Sequence, residues 1–244
     1  MAKTTEIGLS GSLGPLIFYK FRGVQCSRAR PARVRLSEAT RKSASLFGIA
    51  SAMSATIRQR LISLLPAGKD LKIMYRLNAV IFQWLKAGLP EASGPVTRQP
   101  LLALYPFLDQ NPAWAKMRVR PKIQWEEPGI VRLTLPKLTA TTDLSAPPGT
   151  ESVRMQIATL TCKAGSPSVF GSMHTTFADT PYSSVEQEAR EIVLPLALQP
   201  GEVGLITLGL KYMAERAGER EVVASREWQP LDIIDAFYLP AHIR

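Results

Sequence analysis

Leu16-Ile-Phe-Tyr-Lys-Phe-Arg-Gly-Val-Gln-Cys-Ser-Arg-Ala29 reads as a β-hairpin. Two β-prone runs, Leu16 to Phe21 and Val24 to Ala29, flank Arg22-Gly23, and glycine second in a two-residue loop fits a type I′ turn, which needs φ > 0 there. That register sets Phe21 opposite Val24, Tyr19 opposite Cys26 and Ile17 opposite Arg28. One face is expected to be apolar and the other cationic. Beyond the hairpin, Ala29 to Leu36 alternates Arg with small or apolar residues around Pro31, an extended segment that ends before a helix.

Ser37 is a good N-cap, and Glu38 supplies an acid where the helix dipole favours one. Leu46, Ala50, Met53, Ile57, Leu61 and Leu64 then recur at helical steps. Pro66-Ala-Gly68 closes this helix. Asp70 opens a second, with Ile73, Leu77, Val80 or Ile81, and Trp84 on one face, stopped by Gly88 and Pro90. Two helices joined by so short a connection are expected to pack antiparallel.

Pro90, Pro95, Pro100, Pro106 and Pro112 make Leu89 to Pro112 a linker, with an apolar island from Leu101 to Leu108 that should lie against a neighbouring domain. After it the period falls to 2. Strands are expected at 119–125, 130–135, 153–162, 169–177, 192–198, 203–212, 222–228 and 233–239, with a phase change between Ile157 and Ala158 that a β-bulge would produce. The expected fold is α+β: residues 1–88 a basic hairpin and helical-hairpin domain, 89–114 a Pro-rich linker, and 115–244 an immunoglobulin- or fibronectin-like β-sandwich. At 244 residues the chain can bury roughly 70 to 75% of its unfolded surface, so no disulfide framework or structural metal is needed.

The charge is uneven. Residues 1–90 hold 15 Lys or Arg against Glu6, Glu38 and Asp70, and the remainder 15 against 17, so the net +10 is wholly N-terminal. Lys20, Arg22, Arg28, Arg30, Arg33, Arg35, Arg41 and Lys42 are opposed only by Glu38 within their 23 residues. Such a field favours anionic partners. Cys26 and Cys162 have no metal-ligand spacing and read as free thiols. No run reaches the roughly 18 apolar residues of a membrane span, nor the N-terminal apolar core of a signal peptide, so the expectation is a cytoplasmic protein with no membrane partner.

Other motifs carry less. Gly8, Gly11 and Gly14 form a G-x-x-G-x-x-G series, but it feeds a hairpin, not a helix N-terminus, and reads as flexible or closely packed backbone. Ser172, His174 and Asp179 have the residue types of a hydrolase triad without a nucleophile-elbow motif, and His242 sits three residues from the end. Glu186, Glu188 and Glu191, and again Glu215, Glu219 and Glu221, read as solvated turns, or as an acidic surface that meets the basic unit of a neighbouring copy. No catalytic residue, metal or cofactor is expected.

The stretch from Gly11 to Pro31, followed by a polar helix start and Phe47-Gly48, resembles the opening of a family of uncharacterised proteins from Bacteroidetes genomes and some of their prophages, which share a glycine-led hairpin ending in Arg-x-Arg/Lys-Pro and then a helix. The resemblance covers about the first 60 residues. It implies a non-enzymatic structural or binding role and allows a phage-like origin, in which case the location would be the virion. The resulting expectation is a non-enzymatic binding protein whose Lys20–Lys42 segment docks on a polyanion, nucleic acid foremost. The alternative is a structural assembly subunit of a phage-like or other multimeric particle, a homo-oligomer that uses the hairpin for subunit contacts.

Overall fold

The computed structural model describes residues 3–5, 8–30, 36–64, 71–88, 94–103, 105–107, 112–126, 129–164, 170–216, 219–223 and 228–241. They divide into two compact units, Met1–Ser43 and Ala44–Arg244. The class is α+β, with mostly antiparallel sheets and few helices.

In the first unit β1 (Lys3–Thr5), β2 (Gly8–Leu13), β3 (Leu16–Phe21) and β4 (Val24–Ala29) form an antiparallel meander in chain order. The hairpin register is the one the sequence dictates: Ile17↔Arg28, Tyr19↔Cys26 and Phe21↔Val24. Its turn has φ +50° at Arg22 and +86° at Gly23, the two left-handed residues of a type I′ turn. The glycine series is not a loop. Gly8 and Gly11 lie in β2, and Gly14, at φ +56°, turns β2 into β3.

Ser37 Oγ accepts a hydrogen bond from the Thr40 N–H at 3.2 Å, capping α1 (Glu38–Arg60) as its sequence requires. Ala50, Met53, Ile57, Leu61 and Leu64 are buried along one stripe of α1 and the turn that follows it. In α2 (Leu71–Ala87) the stripe is Ile73, Leu77, Ile81 and Trp84. Pro66 to Gly68 and Asp70 lie outside the described residues.

The rest of the second unit runs β5 (Thr97–Arg98), β6 (Tyr105–Pro106), α3 (Ala113–Lys116), β7 (Lys122–Glu126), β8 (Ile130–Leu135), β9 (Leu138–Thr139), α4 (Ala140–Asp143), β10 (Ser152–Lys163), β11 (Phe170–Pro181), β12 (Glu186–Gln187), β13 (Arg190–Pro195), β14 (Glu202–Arg216), β15 (Glu219–Val222) and β16 (Leu231–Tyr238). The large sheet has the order β11-β10-β14-β16, with β5 and β6 beyond β16 and β15 beside β14. A three-stranded sheet, β13-β8-β7, and the pair β12-β9 complete the set.

Both faces of the large sheet are covered. On one, Ala158, Leu160, Cys162, Val203, Leu205, Leu231 and Ile233 share a core with α1 and α2. On the other, Val153, Met155, Ile157, Ile206, Leu208 and Leu210 share a core with Val131, Leu133 and Leu194 of the three-stranded sheet. Hence the division expected after residue 88 is corrected. A helical hairpin alone closes little core, and its two stripes need a sheet face to cover them. The linker island belongs to the same core through Leu102, Tyr105 and Phe107, and Trp84 Nε1–H donates to Gln99 Oε1 at 2.8 Å.

The phase change at Ile157/Ala158 also has another cause than the one expected. The β10–β14 register is unbroken from Ser152↔Met213 to Lys163↔Glu202, so no bulge interrupts that ladder there. The apolar residues switch faces because the strand passes from one core to the other, and β14 makes the same exchange between Leu205 and Ile206. Bulges occur where β10 meets β11, between Leu160 and Cys162, and where β14 meets β16, between Ile206 and Thr207.

Candidate interaction surface

Lys20 lies in β3, Arg22 in the turn, Arg28 in β4 and Arg30 just after it, while Arg41 and Lys42 occupy the start of α1. All six are exposed. Arg33 and Arg35 lie outside the described residues. Among the described residues none of the six forms an ion pair with a carboxylate. Their neighbours are rings and backbone. The Arg22 guanidinium carbon stands 5.4 Å from the Phe21 ring centre and that of Arg28 5.7 Å from Tyr19, while Arg41 Nε–H donates to the Leu36 carbonyl.

Residues opposite one another in a sheet share a face. Ile17, Tyr19, Phe21, Val24, Cys26 and Arg28 therefore line one face of the meander, and Leu9, Leu13, Leu16, Phe18 and Lys20 line the other. The expected split into an apolar and a cationic face is corrected: each face carries apolar side chains, and Arg28 and Lys20 lie on opposite faces. Leu13 is 59% exposed, Phe21 59% and Val24 65%. The outer edge of β4 has no partner strand among the described residues.

Ser172, His174 and Asp179 do not converge. They lie along β11, where the regular register from Met173 to Pro181 puts His174 and Asp179 on opposite faces, and Asp179 accepts both Nε and Nη2 of Arg154 at 2.7 and 2.8 Å. His242 lies outside the described residues. No group of three or more His, Cys, Asp or Glu among the described residues could hold a metal ion. Cys162 is a buried free thiol, its pKa pushed up to about 12 by desolvation and then by Glu202, and Cys26 is half-buried. No helix among the described residues is long and apolar enough to cross a membrane.

Glu186, Glu188 and Glu191 join Asp179 around a groove of about 550 Å³ between β11, β12 and β13. Arg190 is the one cation in its lining. Lys137 holds Glu188 at 2.8 Å and Arg132 holds Glu191, whereas Glu186 has no cation beside it among the described residues. Thr180, at the end of β11, also lines the groove, and β11 is the outermost strand of the large sheet. Sequence reading found the acids without finding that a sheet edge delivers them to one place.

Two buried carboxylates went unread. Asp235 is fully buried and takes both Nε and Nη2 of Arg98, and its Oδ1 also accepts the Ala236 N–H. Asp232, equally buried, accepts the Ala113 N–H at 2.7 Å through Oδ2, and its Oδ1 has no hydrogen-bond partner among the described residues. Desolvation outweighs the backbone donors at Ala113 and Trp114 and raises its pKa to about 7. The hint was an acid inside an otherwise apolar strand, Leu231-Asp-Ile-Ile-Asp-Ala236. No protein-family model, curated protein or solved structure matches this chain.

Proposed function

We propose that this chain is a non-enzymatic assembly subunit of a repeating particle, phage-like or other, in which the Met1–Ser43 unit is an arm for another copy. One observation carries the reading. Large apolar side chains stand exposed on both faces of a sheet whose unit has no second layer among the described residues. Covering a side chain such as Phe21, Val24 or Leu13 is worth about 1.5–3 kcal/mol each, so a partner that takes even one face gains substantially. The large sheet with the three-stranded sheet against it, a sandwich-like pair, serves as the rigid platform.

Light scattering on the full chain across a concentration series tests this. Mass should rise with concentration, and Phe21→Asp with Val24→Asp should abolish the rise while leaving the melting temperature in place. A monomer at every concentration would overturn the reading.

A second reading, docking on nucleic acid, is favoured by one further observation: six exposed cations that have no carboxylate partner among the described residues. If about six phosphates are neutralised, the log of the DNA affinity falls with log salt at a slope near about −5. A flat slope dismisses it.

A further inference from the structure

The assembly reading leaves open where the arm goes, and the structure offers an acceptor. We propose that the β4 edge of one copy adds antiparallel to the outer edge of β11 in a second copy, with the Arg22-Gly23 turn seated beside Glu186 in the groove at its end.

Natural sheets blunt their edges with short strands, Lys, Pro or bulges. β11 is 12 residues long, and from Gly171 to Thr180 it carries no Lys, Arg or Pro. Its bulge falls at the start, opposite Thr161, and its proline at the end, Pro181. Between them Met173 to Thr180 keep a regular ladder with β10, and their outer side has no partner strand among the described residues. Phe177, 54% exposed, and the exposed Thr175 sit on this edge. Six residues of β4, Val24–Ala29, fit within that length.

Direction and charge agree. Antiparallel addition is the orientation that sets the N-terminal end of β4, and so the turn at Arg22, beside the C-terminal end of β11. That end opens on the groove lined by Asp179, Glu186, Glu188 and Glu191, where Arg154, Lys137 and Arg132 hold three of the acids and leave Glu186 to a partner's cation. Among the described residues the cations at the turn, Lys20 and Arg22, have no acid of their own, and Glu186 has no cation. Strand addition would supply affinity through main-chain hydrogen bonds, and the charges would supply the register. Because donor and acceptor are different surfaces, each copy offers one of each. The contact is head-to-tail, the kind that builds open or ring-shaped assemblies.

The inference rests on the assembly reading, and mixing separates the two. A donor variant, Lys20→Glu with Arg22→Glu, and an acceptor variant, Thr175→Lys with Glu186→Lys, are each made in the full chain. Each alone should weaken self-association about tenfold or more, a loss of about 1.4 kcal/mol. An equimolar mixture should associate again, since the intact donor of one variant meets the intact acceptor of the other and the two altered ends also carry opposite charges. Glu186→Lys combined with Arg22→Glu in one chain should recover association, which guards against misfolding as the cause. If the parent assembles and the acceptor variant assembles equally well, the arm docks elsewhere and this inference falls while the assembly reading stands. Failure of the mixture to associate also overturns it. A parent that stays monomeric, whether or not it binds DNA, overturns both.

Discussion

The two units use the same element, an antiparallel sheet, in opposite ways. In the second unit the large sheet is covered on both faces, and its middle strands hold Met155 to Cys162 and Val203 to Leu210 buried without a break. In the first unit, taken by itself, the four-stranded sheet has no second layer among the described residues, and a side chain as large as Phe21 is 59% exposed. A strand stabilised by two layers needs no partner beyond the chain. An uncovered sheet of three- to six-residue strands gains its stability from whatever it meets, and that is why the arm, not the platform, is read as the contact surface.

The sharpest way to break this contrast is to cut one apolar side chain in each region. Leu205→Ala, in the middle of β14 and fully buried against the helices, should cost about 3–5 kcal/mol in urea unfolding. Phe21→Ala should move the same transition by no more than about 0.5 kcal/mol while weakening self-association. Equal losses at both positions would mean that the arm is part of the folded core.

The next effect belongs to the covered region alone. Asp232 has its pKa raised to about 7, against about 4 in an unfolded chain. Between those values the folded state holds a proton that the unfolded state releases, so the contribution is whole below about pH 4 and lost as pH rises through 7. Unfolding free energy should therefore fall by about 2–3 kcal/mol from pH 5 to pH 8. Asp232→Asn, which can still accept the Ala113 N–H, should flatten that slope. A slope unchanged by the substitution would place the titration elsewhere.

The features that local chemistry dictates were legible in the sequence. The Arg22-Gly23 turn, the Ser37 cap, the stripes of α1 and α2 and the alternation of β8 all follow from neighbours within a few residues. What needed distant residues was not legible. Gly14-Pro15 is a turn signal, yet only the partner strand β3 makes Gly8 to Leu13 a strand. Ile157 and Ala158 look like a slipped register because one strand serves two cores, which no window along β10 can reveal. The eight candidate cations were visible as composition, but their distribution over two faces and a turn depends on pairing. The groove depends on β11 and β13 meeting, about ten residues apart in sequence and in different sheets.

The smallest effect expected is also the one that most directly separates stability from contact. Arg22 holds φ +50°, a conformation that Asn or Gly adopts more readily than a long side chain does. Its guanidinium gains only an exposed ring contact with Phe21 in return. Replacing it with Asn should stabilise the hairpin by about 0.5–1 kcal/mol, seen as slower hydrogen exchange of the amides in β3 and β4. If the side chain is kept for a partner, the same variant should associate less tightly than the parent although its arm is better ordered. A variant that is both better ordered and better associated would show that the arm works by its shape, and that the arginine at its tip is dispensable.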